Sequence, residues 1–91
     1  MEFEWDPEKA GSNTEKHGVE FVEATTVFAD PLELTVLDPD HSENESRFLS
    51  LGRSASGTLL VVSFTERGNR IRIISARPAT PRERQEYESG N

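Results

Sequence analysis

The chain has 91 residues, no cysteine and a formal net charge of −7 at pH 7, which bounds it to one small core and one expected domain over residues 1–91. The absence of cysteine excludes a disulfide scaffold and thiolate metal sites, and it fits a reducing cytosol. The longest apolar run, Leu59 to Val62, is far too short to cross a bilayer, so a cytoplasmic protein without a membrane partner is expected.

The net charge conceals a polarity. Residues 1–46 hold two lysines against thirteen acids, whereas residues 47–91 hold eight arginines against four acids. Arginine's planar fork suits bidentate contacts with phosphate. Composition alone is equally consistent with these arginines pairing with the acidic half of the chain.

Glu2-Phe3-Glu4-Trp5 alternates polar and apolar residues, predicting a short strand that buries Phe3 and Trp5. Asp6-Pro7 carries an N-cap acid and a first-turn proline, and Lys16-His17-Gly18 supplies basic residues and a terminal glycine, so a helix is expected between them. Residues 19–28 form a second expected helix, with Phe21, Ala24, Val27 and Phe28 on one face, ended by Asp30-Pro31. Residues 32–37 read as a strand and residues 38–46 as a polar loop.

Residues 47–53, 58–65 and 70–76 then predict three strands of an antiparallel meander, joined at Ser54-Ala55-Ser56-Gly57 and at Arg67-Gly68-Asn69. The middle strand, apolar on both faces, belongs at the centre. Strict alternation in the last strand groups Ile71, Ile73 and Ser75 on one side, and Arg70, Arg72, Ile74 and Ala76 on the other. Thr80-Pro81-Arg82-Glu83 has the spacing of a capping box and starts a short final helix that has only Tyr87 to bury. The expected class is α+β: two N-terminal helices and a C-terminal helix packed around an antiparallel sheet.

No glycine-rich phosphate loop, nucleophile elbow or paired-cysteine motif is present, which removes most nucleotide-cofactor and covalent-hydrolase readings. The acidic loop around His41 matches neither an EF-hand nor a zinc-helix spacing, so neither a metal nor a cofactor is expected. His17 has a structural explanation at a helix C-terminus, while His41 lies in a loop where a ligand could reach it. Metal-free ribonuclease chemistry needs a base for the 2′-hydroxyl, cations for the charge developing on phosphate, and an acid for the leaving oxygen. His41, Arg47, Arg77 and Tyr87 could supply that set; a salt-bridged surface without activity is the competing reading.

Phe3-Glu4-Trp5-Asp6-Pro7, Lys9, Asn13, Lys16-His17-Gly18, the segment 21–28 with Asp30-Pro31, the loop 40–47, and the run Arg70 to Arg77 with Thr80, Glu83, Arg84 and Tyr87 closely resemble, in order and spacing, the BrnT toxin family. The resemblance implies a RelE-like fold and a bacterial type II toxin that cleaves RNA without metal and blocks translation. It also implies a BrnA-like partner, a ribbon-helix-helix antitoxin that neutralises the toxin and binds operator DNA, which the toxin meets only through that partner. Carried onto this chain, it suggests Arg47 and Arg77 for phosphate charge, Tyr87 for stacking or proton transfer, and His41 as acid or base. Lys16, His17, Arg70 and Arg72 are implied as electrostatic contacts to RNA. A non-catalytic module that tunes its partner's DNA binding is the alternative function.

Overall fold

Strong end signals fix the first helix. Asp6 accepts the Glu8 backbone N–H at 2.9 Å, Pro7 occupies the first turn, and Gly18 closes the helix at φ 70°. The resulting α1 spans Pro7–His17 and follows a short strand β1, Glu2–Glu4. The computed structural model describes residues 1–90.

The second helix is shorter than its apolar periodicity suggests. α2 covers Phe21–Thr25 and tightens into a 3-10 turn over Thr26–Ala29. The Thr25 and Thr26 hydroxyls donate to the carbonyls of Val22 and Glu23, three residues earlier, at 2.7 and 2.6 Å. These bonds compete with regular helix spacing and favour the tighter turn. Asp30 then caps a turn by accepting the Leu32 N–H at 2.9 Å, so strand β2 begins only at Leu34 and spans Leu34–Leu37.

Three longer strands follow: β3 Arg47–Arg53, β4 Leu59–Arg67 and β5 Arg70–Pro78, with α3 over Pro81–Ser89. The sheet order is β1-β5-β4-β3-β2, with β4 at the centre as its two apolar faces require. The pairs β2–β3, β3–β4 and β4–β5 are antiparallel, but β1 lies parallel to β5. The sheet is therefore mixed rather than wholly antiparallel. Local alternation cannot reveal a pairing that joins residues 2–4 to residues 70–72.

α1 and α2 cover one face, where Phe21, Val27, Leu60, Val62 and Ile73 form the larger core. Phe28 bridges Phe3 and Phe64 at ring separations of 5.4 and 4.9 Å. Gly52 lets the 3-10 turn approach β3: a Cβ there would meet Val27 Cγ1 at 2.9 Å. On the opposite face a smaller core of Leu51, Leu59, Val61 and Tyr87 packs beneath α3, leaving the rest of that face open.

A β-bulge corrects the side assignment expected for β5. Ser63 pairs with Ser75 and Phe64 with Ile73, so Ile74 is an extra residue in the ladder. Beyond it the phase reverses, and Ala76 joins Ile71 and Ile73 in the helix-side core. Ser75 and Arg77 thereby turn to the open face. Asn13 protects the free edge of β5: its side-chain amide donates to the carbonyls of Ala76 and Val19 at 2.8 and 2.9 Å, and its oxygen accepts the Ala76 N–H at 3.0 Å.

Candidate active site on the open sheet face

The loop between β2 and β3 is held at its base by a serine. Ser42 Oγ donates to the Asp38 carbonyl at 2.6 Å and accepts the Arg47 N–H at 2.9 Å, while the Asp38 N–H donates to the Arg47 carbonyl at 2.8 Å. These bonds close the loop directly above the open face. A short 3-10 turn, Pro39–His41, then brings His41 Nδ1 within 2.9 Å of Asp38 Oδ2. Asp38 is largely sheltered, with 15% of its side chain exposed against 65% for His41. With Nδ1 held by the carboxylate, Nε2 is the nitrogen left for other chemistry.

Below this loop lies a cleft of about 310 Å³ that brings His41, Arg47 and Arg77 together. Its floor is formed by Leu49 and Ile74 together with Ser63 and Ser75. Arg47 Nε is buried without a hydrogen-bond partner, and among the described residues Arg47 makes no ion pair. A buried N–H in that position costs free energy until something accepts it. His41 and Arg47 also border a second hollow of about 510 Å³, whose walls carry Asp40, Glu43 and Glu45.

Arg77 reaches the cleft already engaged. Its two terminal nitrogens form a bidentate pair with Glu83 at 2.8 and 2.9 Å, and one also donates to the Pro78 carbonyl at 3.3 Å. Of five guanidinium donors, the Nε–H and one terminal N–H are left. Hydrogen bonding to Arg77, outweighing burial, lowers the Glu83 pKa to about 2. Glu83 also accepts the Thr80 N–H at 2.9 Å in a complete capping box. Arg77 thus ties the exit of β5 to the start of α3 as well as facing the cleft.

The other residues singled out from sequence lie elsewhere. Tyr87 is buried beneath α3, where its hydroxyl donates to Asp30 Oδ2 at 2.6 Å and the Arg53 guanidinium sits 5.5 Å from its ring centre. That hydrogen bond, with burial, raises the phenol pKa. Tyr87 anchors α3 and does not line the cleft. Arg72 pairs with Glu4 at 2.8 Å, and Arg70 with Glu2 and Glu4 at 3.4 and 3.6 Å. Lys16 and His17 end α1, which packs on the opposite face of the sheet.

Residue-level reading of the sequence had not distinguished Asp38, Ser42, Ser63, Ser75 or Glu83 as parts of this site. The Asp38-x-x-His41 spacing was a usable signal for the first of them. Nothing local announces the serines, because the bulge decides which side Ser75 takes. No group of three or more His, Asp or Glu among the described residues could hold a metal ion.

The profile of the family described as the ribonuclease toxin, BrnT, of type II toxin-antitoxin systems matches residues 5–83. The chain belongs to the BrnT family. It is thereby a member of a ribonuclease toxin family whose type II character implies a protein antitoxin partner. The crystal structure of the Brucella abortus ribonuclease toxin, BrnT, matches with a TM-score of 0.65 at 23% identity, covering 88% of this chain and 97% of that chain. This likeness shows a BrnT α+β fold with its mixed five-stranded sheet and three helices. No curated protein matches the chain. Among the described residues no helix is long and apolar enough to cross a membrane.

Proposed function

We propose that this BrnT-family chain is a RelE-like, metal-independent endoribonuclease that inhibits translation in the cytoplasm, with the His41–Arg47–Arg77 cleft as its active site. The observation that carries this reading is the Arg47 guanidinium, which has no ion pair among the described residues, in one cleft with a histidine oriented by Asp38. His41 Nε2 takes the proton from the substrate 2′-hydroxyl as that oxygen attacks phosphorus. The bond from phosphorus to the 5′-oxygen breaks, leaving a 2′,3′-cyclic phosphate, and the departing oxygen takes a proton from water in the open cleft. Arg47 and the free donors of Arg77 stabilise the charge on the phosphoryl oxygens. Tyr87, sealed beneath α3, acts on this chemistry only by holding α3 in place. Arg70 and Arg72 contribute a peripheral field reduced by their acidic partners, and Lys16 and His17 are removed from the cleft by the sheet itself.

The antitoxin is proposed to be a BrnA-like ribbon-helix-helix protein, through which alone the toxin meets operator DNA. A groove of about 190 Å³ supports its docking place: Leu34, Val36, Leu49, Leu51 and Val61 line it beside Glu83 and Glu86 of α3. Val36 is 58% exposed, and two carboxylates at the rim favour an apolar segment bearing basic residues. Because Leu49 borders both groove and cleft, an occupant of the groove also covers one side of the cleft.

Purified wild type should cleave an RNA oligonucleotide in the presence of a chelator, and Arg47→Ala and His41→Ala should each lose at least about 100-fold in rate. Full activity in both variants would overturn the site. The number of arginines already ion-paired favours a second reading, a non-catalytic module that adjusts its partner's DNA affinity. Intact RNA together with an altered operator affinity of the antitoxin would support that alternative.

A further inference from the structure

Ser63 stands in the central strand β4 and Ser75 in β5, directly opposite each other in the ladder next to the bulge at Ile74. Both line the cleft with Arg47 and Arg77. Other hydroxyls in and beside the sheet have protein partners: Ser50 bonds Thr35 at 2.9 Å, Thr65 donates to the Ser46 carbonyl at 2.7 Å, and Ser54 donates to Glu23 at 2.7 Å. Among the described residues neither the Ser63 nor the Ser75 hydroxyl has one. Both residues are only half-buried and neither hydroxyl is sealed in the sheet, so both are open to the cleft, at positions where a strand otherwise favours an apolar or β-branched side chain.

We propose that the Ser63 and Ser75 hydroxyls, with the terminal N–H groups of Arg47, form a three-donor seat for the non-bridging oxygens of an RNA phosphodiester. This rests on the cleft being the ribonuclease site and adds the neutral donors that hold the phosphoryl group. Leu49 and Ile74 border the two hydroxyls on the cleft floor, and their low-dielectric surface strengthens each donated bond. Two hydroxyls fixed on adjacent strands need little reorganisation as negative charge grows on phosphorus, so their contribution is larger in the transition state than in the bound substrate. The bulge is what makes the seat, because without it Ser75 would turn toward the helix-side core.

The test uses the full chain with two probes: an RNA oligonucleotide for single-turnover cleavage, and a deoxydinucleotide, which lacks the attacking 2′-hydroxyl, for binding followed by NMR. The dinucleotide should shift the amide signals of Ser63 and Ser75 and the guanidinium signals of Arg47. Ser63→Ala/Ser75→Ala should slow cleavage about 100-fold, roughly tenfold per open-cleft donor, with a much smaller change in dinucleotide affinity. Ser63→Thr/Ser75→Thr, which keeps the hydroxyls and suits a strand, should recover much of the rate and also serves if the alanine pair folds poorly. If the alanine pair cleaves like wild type while Arg47→Ala does not, the seat is refuted and the ribonuclease site stands. Failure of wild type to bind or cleave either probe would overturn both.

Discussion

Replacing Glu83 by glutamine tests whether Arg77 acts as a strap between the sheet and α3. Glu83 holds Arg77 in a bidentate pair, and its pKa falls from 4.5 to about 2. A depression of about 2.5 units corresponds to about 3.4 kcal/mol at 1.36 kcal/mol per unit. The two side chains are 39% and 25% exposed, so solvent screening reduces the expected contribution to about 1–2 kcal/mol. Since the folded-state pKa is lowered, the contribution is complete above the ordinary carboxylate range and is lost as pH falls toward about 2. Urea unfolding at neutral pH should therefore show Glu83→Gln destabilised by about 1–2 kcal/mol, with the gap to wild type closing progressively below pH 4.5. The same change leaves Arg77 without its counter-charge, so RNA affinity should rise while stability falls. An equal stability gap at neutral and acid pH would refute the ion-pair account.

Three further substitutions separate structural from chemical roles. Tyr87→Phe deletes the bond to Asp30 and should cost about 1–2 kcal/mol of stability, with cleavage per folded molecule unchanged; lost cleavage at full stability would return Tyr87 to the chemistry. Asn13→Ala strips the Ala76 N–H and carbonyl of their side-chain partner and should lower stability by about 2–3 kcal/mol in thermal or urea unfolding. Asp38→Asn should slow RNA cleavage at least about tenfold by replacing the carboxylate that holds His41 Nδ1 with a neutral amide, and Asp38→Glu should restore part of the rate. Equal rates for Asp38→Asn and wild type would show that His41 needs no orienting carboxylate.

Sequence patterns revealed what depends on near neighbours. The caps of α1 and α3, the central position of β4 and the meander of the three long strands all followed from local spacing and turn residues. The parallel β1–β5 pair did not, because it joins the two ends of the chain, and the bulge did not, because Ile74 is as good a strand residue as its neighbours. The bulge matters most for the site: strict alternation sets Arg77 opposite Arg72, whereas the added residue brings both to one face. Tyr87 lies outside the cleft for a local reason. As the one large apolar side chain on α3 it was needed for the core, and that requirement buried the group whose chemistry had drawn attention.

Half of the eight arginines in the second half of the chain are ion-paired within the protein. Arg67, Arg70, Arg72 and Arg77 each reach a carboxylate, and among the arginines lining the cleft only Arg47 lacks an ion pair. Composition allowed either a phosphate-binding face or an internally neutralised one; the arginines of β5 are neutralised, and the cleft keeps one unpaired arginine. Affinity for RNA should then depend on about one to two phosphate contacts, giving a shallow log–log salt slope of about −1, near −0.7 per contact for single strands. Measuring the dissociation constant of a non-cleavable oligonucleotide across a tenfold range of salt checks this. A slope of about −4 or steeper would mean that RNA displaces Glu2, Glu4 and Glu45 from their arginines and recruits the whole face.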